Sequence, residues 1–263
     1  MISGDKNYNG VIDDLVNGSW ISQTDNKQYG IPIKNIEIRK TLDGRECDLI
    51  ESLHSNQKLL VVSDPFTHKA MGSRIFNNLK ANINVDEYIW EQPSSSIEGV
   101  QFLRTKLKDY DGMIAVGSGT VSDSIKYATF LEDKVYSVFA TTPMNAYTTG
   151  TASISFDGIK KSLVAHYAQG VFFDLEVLSN CPKRLTAAAF ADVICRTTAQ
   201  VDWLMSHKLL NTDYKTTPYE LLALYEMDMI NNASDIAAGK IDSLALLTLI
   251  SAIMGLGTSF TQT

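Results

Sequence analysis

The sequence has few of the residues from which disulfide frameworks and metal sites are usually built. Its 263 residues include 3 cysteines, Cys47, Cys181 and Cys195, which lie far apart and form no CxxC pair. This predicts neither a disulfide framework nor a cysteine zinc cluster, and it is typical of reduced thiols in a cytoplasmic protein. The 4 histidines form no HExxH pattern, so no complete metal site is visible. There is no GxSxG elbow, which weighs against acyl transfer.

Long hydrophobic runs and an excess of basic charge are also missing. The longest strongly apolar stretch, Leu244–Gly257, has 14 residues. It is shorter than the roughly 20 residues of a membrane-spanning helix, so it predicts a buried core helix. Met1–Gly30 is polar and lacks the pattern of a signal peptide, so we expect no secretion. The net charge of −7 gives no general attraction for nucleic acid or anionic lipid.

What is present is the pattern of a globular α/β protein. The chain is 44% apolar, enough for a sizeable core, and short apolar runs alternate with segments of helical spacing. The predicted strands are Lys58–Ser63, Val85–Trp90, Met113–Val116, Val135–Ala140, Ser153–Phe156 and Val171–Phe173. Beyond Leu185 the spacing is helical alone. We therefore predict a parallel-sheet domain over residues 1–178 and a helical domain over residues 179–263.

The strongest local motif is a strand that runs into a glycine turn. Met113–Val116 is followed by the turn Gly117–Val121, which opens a predicted helix. Glycines let backbone N–H groups approach a pyrophosphate, and a helix N-terminus adds positive potential there. Dinucleotide binding is one interpretation, although the motif is not the common GxGxxG. The alternative is a tight strand-to-helix turn with Ser122 or Asp123 as the helix cap.

Polar side chains follow other predicted strands. Asp64 lies at the carboxyl end of a predicted strand, where open α/β sheets place ligand-contacting groups. It fits a ribose-binding carboxylate and equally an Asp-Pro turn residue. The end of the fourth predicted strand carries hydroxyl and amide groups at Thr141, Thr142, Asn145, Thr148 and Thr149. Lys160 and Lys161 follow a turn and could neutralise a phosphate, although hairpin lysines are more often solvated.

The helical part contains a carboxylate among apolar residues. Asp192 lies in an Ala-, Phe-, Val- and Ile-rich segment. Burying a carboxylate without a partner is costly, so Asp192 needs a cation, a metal or a hydrogen-bonding site. Arg196, four residues later, is the simpler partner. A functional carboxylate is the alternative.

Together these segments resemble the NAD(P)-dependent glycerol-1-phosphate dehydrogenases. This group is a branch of the superfamily that also holds dehydroquinate synthases and iron-containing alcohol dehydrogenases. The resemblance covers Leu59 to about Leu256 and is carried by VVSDPFT, GSGTVSD, ATTPMNAYTTGTASI, GIKKSL, GVFFDLEVL and RLTAAAFADVICRTTAQVDWLMSH. It implies an N-terminal Rossmann-like domain, an all-α C-terminal domain and an active site in the cleft between them.

The resemblance also implies a role for each matching residue. The cofactor is NAD or NADP, and the residues implied to contact it are Gly117, Ser118, Gly119, Thr120 and Val121 at the pyrophosphate, Asp64 at the adenosine ribose, and Thr141, Thr142 and Thr149 at the nicotinamide half. Asn145 stands where many members carry an Asp that touches substrate. Asp192 matches the carboxylate that binds the metal and faces the substrate. Apart from the resemblance, we predict Asp192 and Lys161 as the catalytic residues, with Lys160 or Lys161 as the candidate for the substrate phosphate.

A divalent metal is implied as well, zinc before iron or nickel. In the family two histidines complete its site, one of them in a PASGxEH segment that follows a stretch like Gly255–Thr263, where this sequence stops. We therefore expect a truncated member with weakened metal binding and little turnover on its own. Leu244–Gly257 is then expected to expose an apolar face. This predicts a homo-oligomer or a complementing C-terminal fragment as partner.

Three hypotheses about function follow. The first is a cytoplasmic oxidoreductase of phospholipid metabolism that interconverts glycerol-1-phosphate and dihydroxyacetone phosphate with NAD(P)H. Its partner is a small phosphorylated substrate, and neither nucleic acid nor membrane is involved. The second is a cyclising lyase that resembles dehydroquinate synthase and retains its NAD. The third is a non-catalytic nucleotide-binding remnant.

Overall fold

The computed structural model describes residues 7–260. Within them the strands are β1 (Trp20–Ile21), β2 (Gln28–Tyr29), β3 (Asn35–Arg39), β4 (Leu59–Ser63), β5 (Val85–Ile89), β6 (Gly112–Gly117), β7 (Val135–Ala140), β8 (Thr151–Phe156), β9 (Ile159–Val164) and β10 (Gly170–Asp174). The helices are α1 (Ile12–Val16), α2 (Glu46–His54), α3 (Pro65–Thr67), α4 (Ser73–Leu79), α5 (Ile97–Leu107), α6 (Gly119–Leu131), α7 (Leu175–Ser179), α8 (Lys183–Ile194), α9 (Arg196–Leu210), α10 (Thr217–Ala223), α11 (Glu226–Asn231), α12 (Ala233–Ala237) and α13 (Ile241–Leu256). A π-helical turn covers His68–Gly72, and 3-10 turns cover Asn145–Thr148 and Gly257–Phe260.

The centre of the fold is a parallel sheet with the strand order β3-β10-β7-β6-β4-β5. Strands β4, β6 and β10 are buried along their whole length. Buried parallel strands have no solvent face, which explains why they are continuous apolar runs in the sequence. An apolar core lies on each side of the sheet. The predicted fold, a parallel-sheet α/β region followed by helices, is confirmed.

Strand β3 was not predicted from the sequence. Among residues 7–260 it pairs only with β10, at one edge of the sheet. Its residues alternate between buried apolar and half-buried polar side chains, with Ile36 and Ile38 facing the core. Two apolar residues in a short alternating stretch give a weak signal. The strand exists because β10 offers it a pairing edge.

A two-stranded hairpin, β8–β9, follows the fourth strand of the prediction. Asp157 and Gly158 connect the two strands with φ values of 48° and 79°. A turn with two positive φ values is the type I′ geometry, which matches the twist of a hairpin. Strand β9 was missed because its side chains are almost all exposed and carry no apolar alternation. The hairpin places Lys160 and Lys161 on the protein surface.

The predicted core helix is confirmed as α13, but the predicted exposure of its apolar face is wrong. The segment Leu244–Ile253 is buried along its whole length except for the partly buried Leu246, because α7, α8, α10, α11 and α12 pack around it. Exposed apolar side chains of the helical part include Val201, Met205 and Leu209 on α9, at 62%, 53% and 74% exposure, and Met227 on α11, at 62%. None of the helices between residues 7 and 260 combines the length and hydropathy of a bilayer-spanning segment.

The N-terminal segment packs against the helical part. The hydroxyl of Tyr8 donates to Asp242 at 2.9 Å, and the backbone N–H of Val11 donates to the Tyr225 hydroxyl at 3.1 Å. A short run near residue 22 also hydrogen-bonds to Glu220. Residues that precede β3 in the sequence therefore pack on the helical part rather than on the sheet alone. The predicted division between residues 178 and 179 stays a prediction.

One half-buried histidine, His166, makes the stability of the fold depend on pH. Burial, aided by the charge of Lys126, lowers the pKa of His166 to about 4. The unfolded chain binds a proton near pH 6.5, so between these two values it holds more protons than the folded chain. The contribution of His166 to the free energy of unfolding is therefore fully present above pH 6.5 and is lost as the pH falls toward 4. Urea unfolding of wild type and His166→Gln at pH 7.5 and 5.0 checks this.

We expect the wild type to lose more stability than His166→Gln over that interval. Burial also lowers the pKa of His54, so the variant keeps a smaller loss with the same sign. Equal losses in the two proteins would show that His166 titrates alike in the folded and unfolded states.

Candidate active site

A cleft of about 610 Å³ opens at the carboxyl ends of four neighbouring strands of the sheet. Asp64 follows β4, Ser118 follows β6, Thr141 follows β7 and Glu176 follows β10. The opposite wall is the start of the helical part, from Asn180 to Leu185. Open α/β sheets bind ligands at this edge because the strand-to-helix turns leave a crevice there.

The glycine turn forms part of this cleft and begins helix α6. Ser118 has extended backbone angles and occupies the position before the helix, with no side-chain hydrogen bond to its first turn. The first N–H groups of α6 are therefore not capped by a side chain, as an anion-binding helix end requires. The predicted alternative caps, Ser122 and Asp123, are wrong, because both lie inside the helix.

The two glycines of the turn serve different purposes. A Cβ atom on Gly117 would lie 2.9 Å from the Cβ of Val121, so this glycine lets the strand and its helix pack closely. A Cβ atom on Gly119 would meet nothing within 4 Å. The space beside Gly119 is thus open to a ligand. In this turn, Gly117 allows close packing between β6 and α6, and Gly119 leaves space for a ligand.

Asp64 fits both interpretations of its sequence position. Its Oδ1 accepts hydrogen bonds from the N–H groups of Phe66 at 2.8 Å and Thr67 at 2.9 Å, and the Asp64 N–H donates to Thr67 Oγ1 at 3.0 Å. This capping box fixes the carboxylate at the mouth of the cleft. Its second oxygen, Oδ2, accepts no bond from the part of the chain that the structure describes. That oxygen is available to a hydroxyl group.

The segment after β7 connects the glycine turn with the helical part. Thr142 Oγ1 lies 2.5 Å from the hydroxyl of Tyr147, which donates to the carbonyl of Gly117 at 3.1 Å. Thr141 and Thr142, which the sequence resemblance implies as cofactor contacts, line the cleft. Thr149 does not line it: its hydroxyl bonds to the carbonyls of Ala146 and Thr151.

Asp192 contacts Asn145, and its predicted ion pair with Arg196 is wrong. The side-chain amide of Asn145 donates to Asp192 Oδ2 at 2.8 Å. Helix α8 ends at Ile194 and α9 begins at Arg196, so the two residues do not share one helix. The Arg196 guanidinium instead forms a salt bridge with Glu226. Asp192 stays half-exposed and free of a neighbouring guanidinium.

Lys160 and Lys161 lie on β9 and are exposed. The ammonium of Lys161 is 5.4 Å from the ring centroid of Phe156, and neither lysine lines the cleft. A phosphate-binding role for them stays a prediction.

Sequence reasoning missed Lys126, a buried charged group on the helix that the glycine turn begins. Its side chain is fully buried on α6 and its ammonium contacts Asp123, 3.3 Å away. Burial lowers the pKa of Lys126 and raises that of Asp123, while each charge acts on the other group in the opposite direction. A charged pair three residues apart on a helix whose other positions are mainly small or apolar was the available signal.

The metal implied by the resemblance has an incomplete set of ligands here. Among residues 7–260, no group of three or more His, Cys, Asp or Glu side chains lies close enough together to hold an ion. Asp192 supplies one carboxylate. A structural or catalytic zinc site needs at least three protein ligands. The described residues therefore do not fit a complete metal site.

The comparisons with known proteins agree with this fold. The sequence profile of the iron-containing alcohol dehydrogenases matches residues 37–182. The structure superposes on a solved iron-containing alcohol dehydrogenase from Thermotoga maritima with a TM-score of 0.70 at 17% sequence identity. The superposition covers 89% of this chain and 69% of that one. For a glycerol dehydrogenase from Schizosaccharomyces pombe the TM-score is 0.62 at 16% identity, covering 81% and 58%. The chain belongs to the iron-containing alcohol dehydrogenase family.

Within that family, its curated relatives carry the name glycerol-1-phosphate dehydrogenase [NAD(P)+], which confirms the resemblance found in the sequence. The relative from Geobacillus thermodenitrificans is 30% identical over 193 residues, which are 70% of this chain and 48% of that protein. The relative from Methanobrevibacter smithii is 27% identical over 213 residues, which are 80% and 61%. The chain thus spans between about half and three-fifths of the length of these relatives.

Proposed function

We propose that the chain serves an NAD(P)-dependent oxidoreductase that interconverts glycerol-1-phosphate and dihydroxyacetone phosphate. The observation that carries the proposal is the open glycine turn at the carboxyl edge of the sheet: the first N–H groups of α6 have no side-chain cap, and Ser118, just before them, lines a cleft large enough for a nucleotide. The substrate class comes from the names of the relatives, which this chain matches over 70–80% of its own length.

In this proposal the chain's residues bind and orient the cofactor and the substrate. The N–H groups at the start of α6 hold the pyrophosphate, and the open oxygen of Asp64 accepts a ribose hydroxyl. NAD(P)H, when bound, supplies a hydride to the carbonyl carbon of dihydroxyacetone phosphate. The paired side chains of Asn145 and Asp192 are the polar groups assigned to the substrate.

No step is assigned to a metal, because the described residues provide only the Asp192 carboxylate for it. The same observation favours a second candidate function, nucleotide binding without turnover. We also propose that a second copy or a complementing C-terminal segment is a partner. The exposed apolar residues of α9 support this, because such side chains are usually covered by another surface.

Replacing Gly119 by valine tests the cofactor site. The added side chain enters the open space where the pyrophosphate is placed, so we expect NADH affinity to fall by at least about tenfold, which corresponds to about 1.4 kcal/mol. The thermal unfolding temperature should stay the same, because no atom lies within 4 Å of the new Cβ. Titration calorimetry gives the affinity and calorimetric scanning gives the unfolding temperature.

The matched control is Gly117→Ala. Its Cβ would lie 2.9 Å from the Cβ of Val121, so this variant should lower the unfolding temperature even in the absence of NADH. NADH binding that is unchanged by Gly119→Val would remove the support for the proposal.

Turnover distinguishes the two candidate functions. NADH, dihydroxyacetone phosphate and a divalent metal are mixed with the chain, with and without a C-terminal segment from a longer relative. Oxidation of NADH supports the oxidoreductase. Binding of NADH without oxidation under both conditions supports the nucleotide-binding alternative.

A further inference from the structure

The ammonium of Lys126 lies where no solvent reaches it. Its side chain has 0% exposure, and much of α6 is buried as well, including Val121, Ile125 and Ala128. Removing an ammonium from water is unfavourable unless hydrogen-bond acceptors replace the water. The structure supplies such acceptors, and their positions along the chain indicate what the ammonium does.

Three of the four acceptors belong to one short segment, residues 145–151. The Lys126 ammonium donates to the carbonyl of Ala146 at 2.6 Å, to the hydroxyl of Thr149 at 3.1 Å and to the carbonyl of Thr151 at 2.9 Å. The fourth acceptor is Asp123 Oδ1. Even Asp123 reaches the same part of the chain, since its Oδ2 accepts from the N–H of Ser153 at 3.1 Å.

The segment that Lys126 holds is the one that reaches the helical part. It carries Asn145, whose amide donates to Asp192 on α8 at 2.8 Å. It also carries Thr148, whose hydroxyl donates to the carbonyl of Ala252 on α13 at 2.8 Å.

We infer that Lys126 is a positioning residue, whose ammonium fixes residues 145–151 so that the Asn145 amide meets the Asp192 carboxylate. The inference deepens the proposed function, because Asn145 and Asp192 are the side chains assigned there to the substrate. Lys126 is enclosed by its acceptors and acts through the segment alone.

A double-mutant cycle measures the contact that Lys126 is inferred to hold. The urea midpoints of Asn145→Ala, Asp192→Ala and the double variant are compared in three backgrounds. In the wild-type background, we expect that the urea-midpoint shifts of the two single variants do not sum to the shift of the double variant. In the Lys126→Met background they should add, because the amide and the carboxylate no longer meet.

Lys134→Met is the matched control background. The Lys134 ammonium also binds backbone carbonyls, of Leu107 at 2.8 Å and Tyr110 at 2.6 Å, but it does not touch residues 145–151. This substitution should lower stability while the non-additivity of the cycle remains. A spectroscopic signature accompanies the cycle: the side-chain amide signal of Asn145 in a proton–nitrogen correlation spectrum should move in Lys126→Met and stay in place in Lys134→Met.

If Lys126→Met does not fold, Thr149→Val replaces it, removing one acceptor and keeping the ammonium. We then expect a partial loss of non-additivity. The inference is overturned if the two substitutions are additive in the wild-type background. It is also overturned if their non-additivity persists in both the Lys126→Met and the Thr149→Val backgrounds, or if Lys134→Met abolishes the non-additivity as fully as Lys126→Met does. None of these measurements uses cofactor or metal, so their failure is distinct from a failure to bind NADH.

Discussion

Gly255→Ala is expected to destabilise the protein, although alanine favours helix over glycine by about 1 kcal/mol. Gly255 lies in α13, and a Cβ atom there would be 2.1 Å from Thr148 Oγ1 and 2.4 Å from the backbone carbonyl oxygen of Asn145. A carbonyl oxygen cannot rotate away, so α13 must shift from the segment. Overpacking of this kind costs about 2–3 kcal/mol, and urea unfolding measures it.

Ser251→Ala, one turn earlier on α13, is the matched control. Ser251 is 1% exposed and its hydroxyl has no hydrogen-bond partner among the described residues. Removing an unpaired buried hydroxyl is expected to leave stability unchanged or to raise it slightly. If Gly255→Ala stabilises the protein as Ser251→Ala does, the close contact between α13 and residues 145–148 is absent in solution.

Arg74→Met is the second substitution with a large expected effect. The Arg74 guanidinium lies 2.6 Å from Asp174 Oδ2 and 3.0 Å from Glu46 Oε1, and both carboxylate side chains are 0% exposed. Methionine keeps much of the packing and leaves two buried carboxylates without their cation. Because Arg74 itself is 28% exposed, we expect a loss of about 3 kcal/mol, at the lower end for a broken buried pair.

This loss corresponds to a fall of roughly 6–12 °C in the unfolding temperature, measured by scanning calorimetry. Arg104→Met is the control, since its pair with Glu132 is about one-third exposed on both sides and should contribute less than about 1 kcal/mol. Adding Glu46→Gln to Arg74→Met should recover part of the stability, because it removes one unpaired charge. Similar losses for Arg74→Met and Arg104→Met would contradict the assignment of a buried cluster.

That cluster also stabilises one wall of the cleft. Asp174 ends β10 and its Oδ1 accepts from the N–H of Val177 at 3.2 Å, at the start of α7. Glu176 and Val177 line the cleft. We therefore expect Arg74→Met to weaken NADH binding as well as the fold, whereas Arg104→Met should leave binding unchanged.

The sequence alone located five of the six strands of the central sheet and the glycine turn, because buried parallel strands and glycine turns leave strong local patterns. The runs that become β4, β6 and β7 are mainly apolar and buried, and the glycine turn follows β6 directly. Asp64 and the threonines after β7 could be placed at one edge, since the carboxyl ends of parallel strands meet there. Sequence motifs also identified the family.

Only the tertiary structure decided which groups pair. Arg196 contacts Glu226, 30 residues away, rather than Asp192, and Asn145 reaches Asp192 across 47 residues. Local spacing carries no information about such contacts, because side-chain pairing depends on where helices end and how they pack. The burial of α13, the edge strand β3 and the enclosure of Lys126 are likewise set by neighbours distant in sequence. Composition and periodicity determine the elements, and packing determines the chemistry between them.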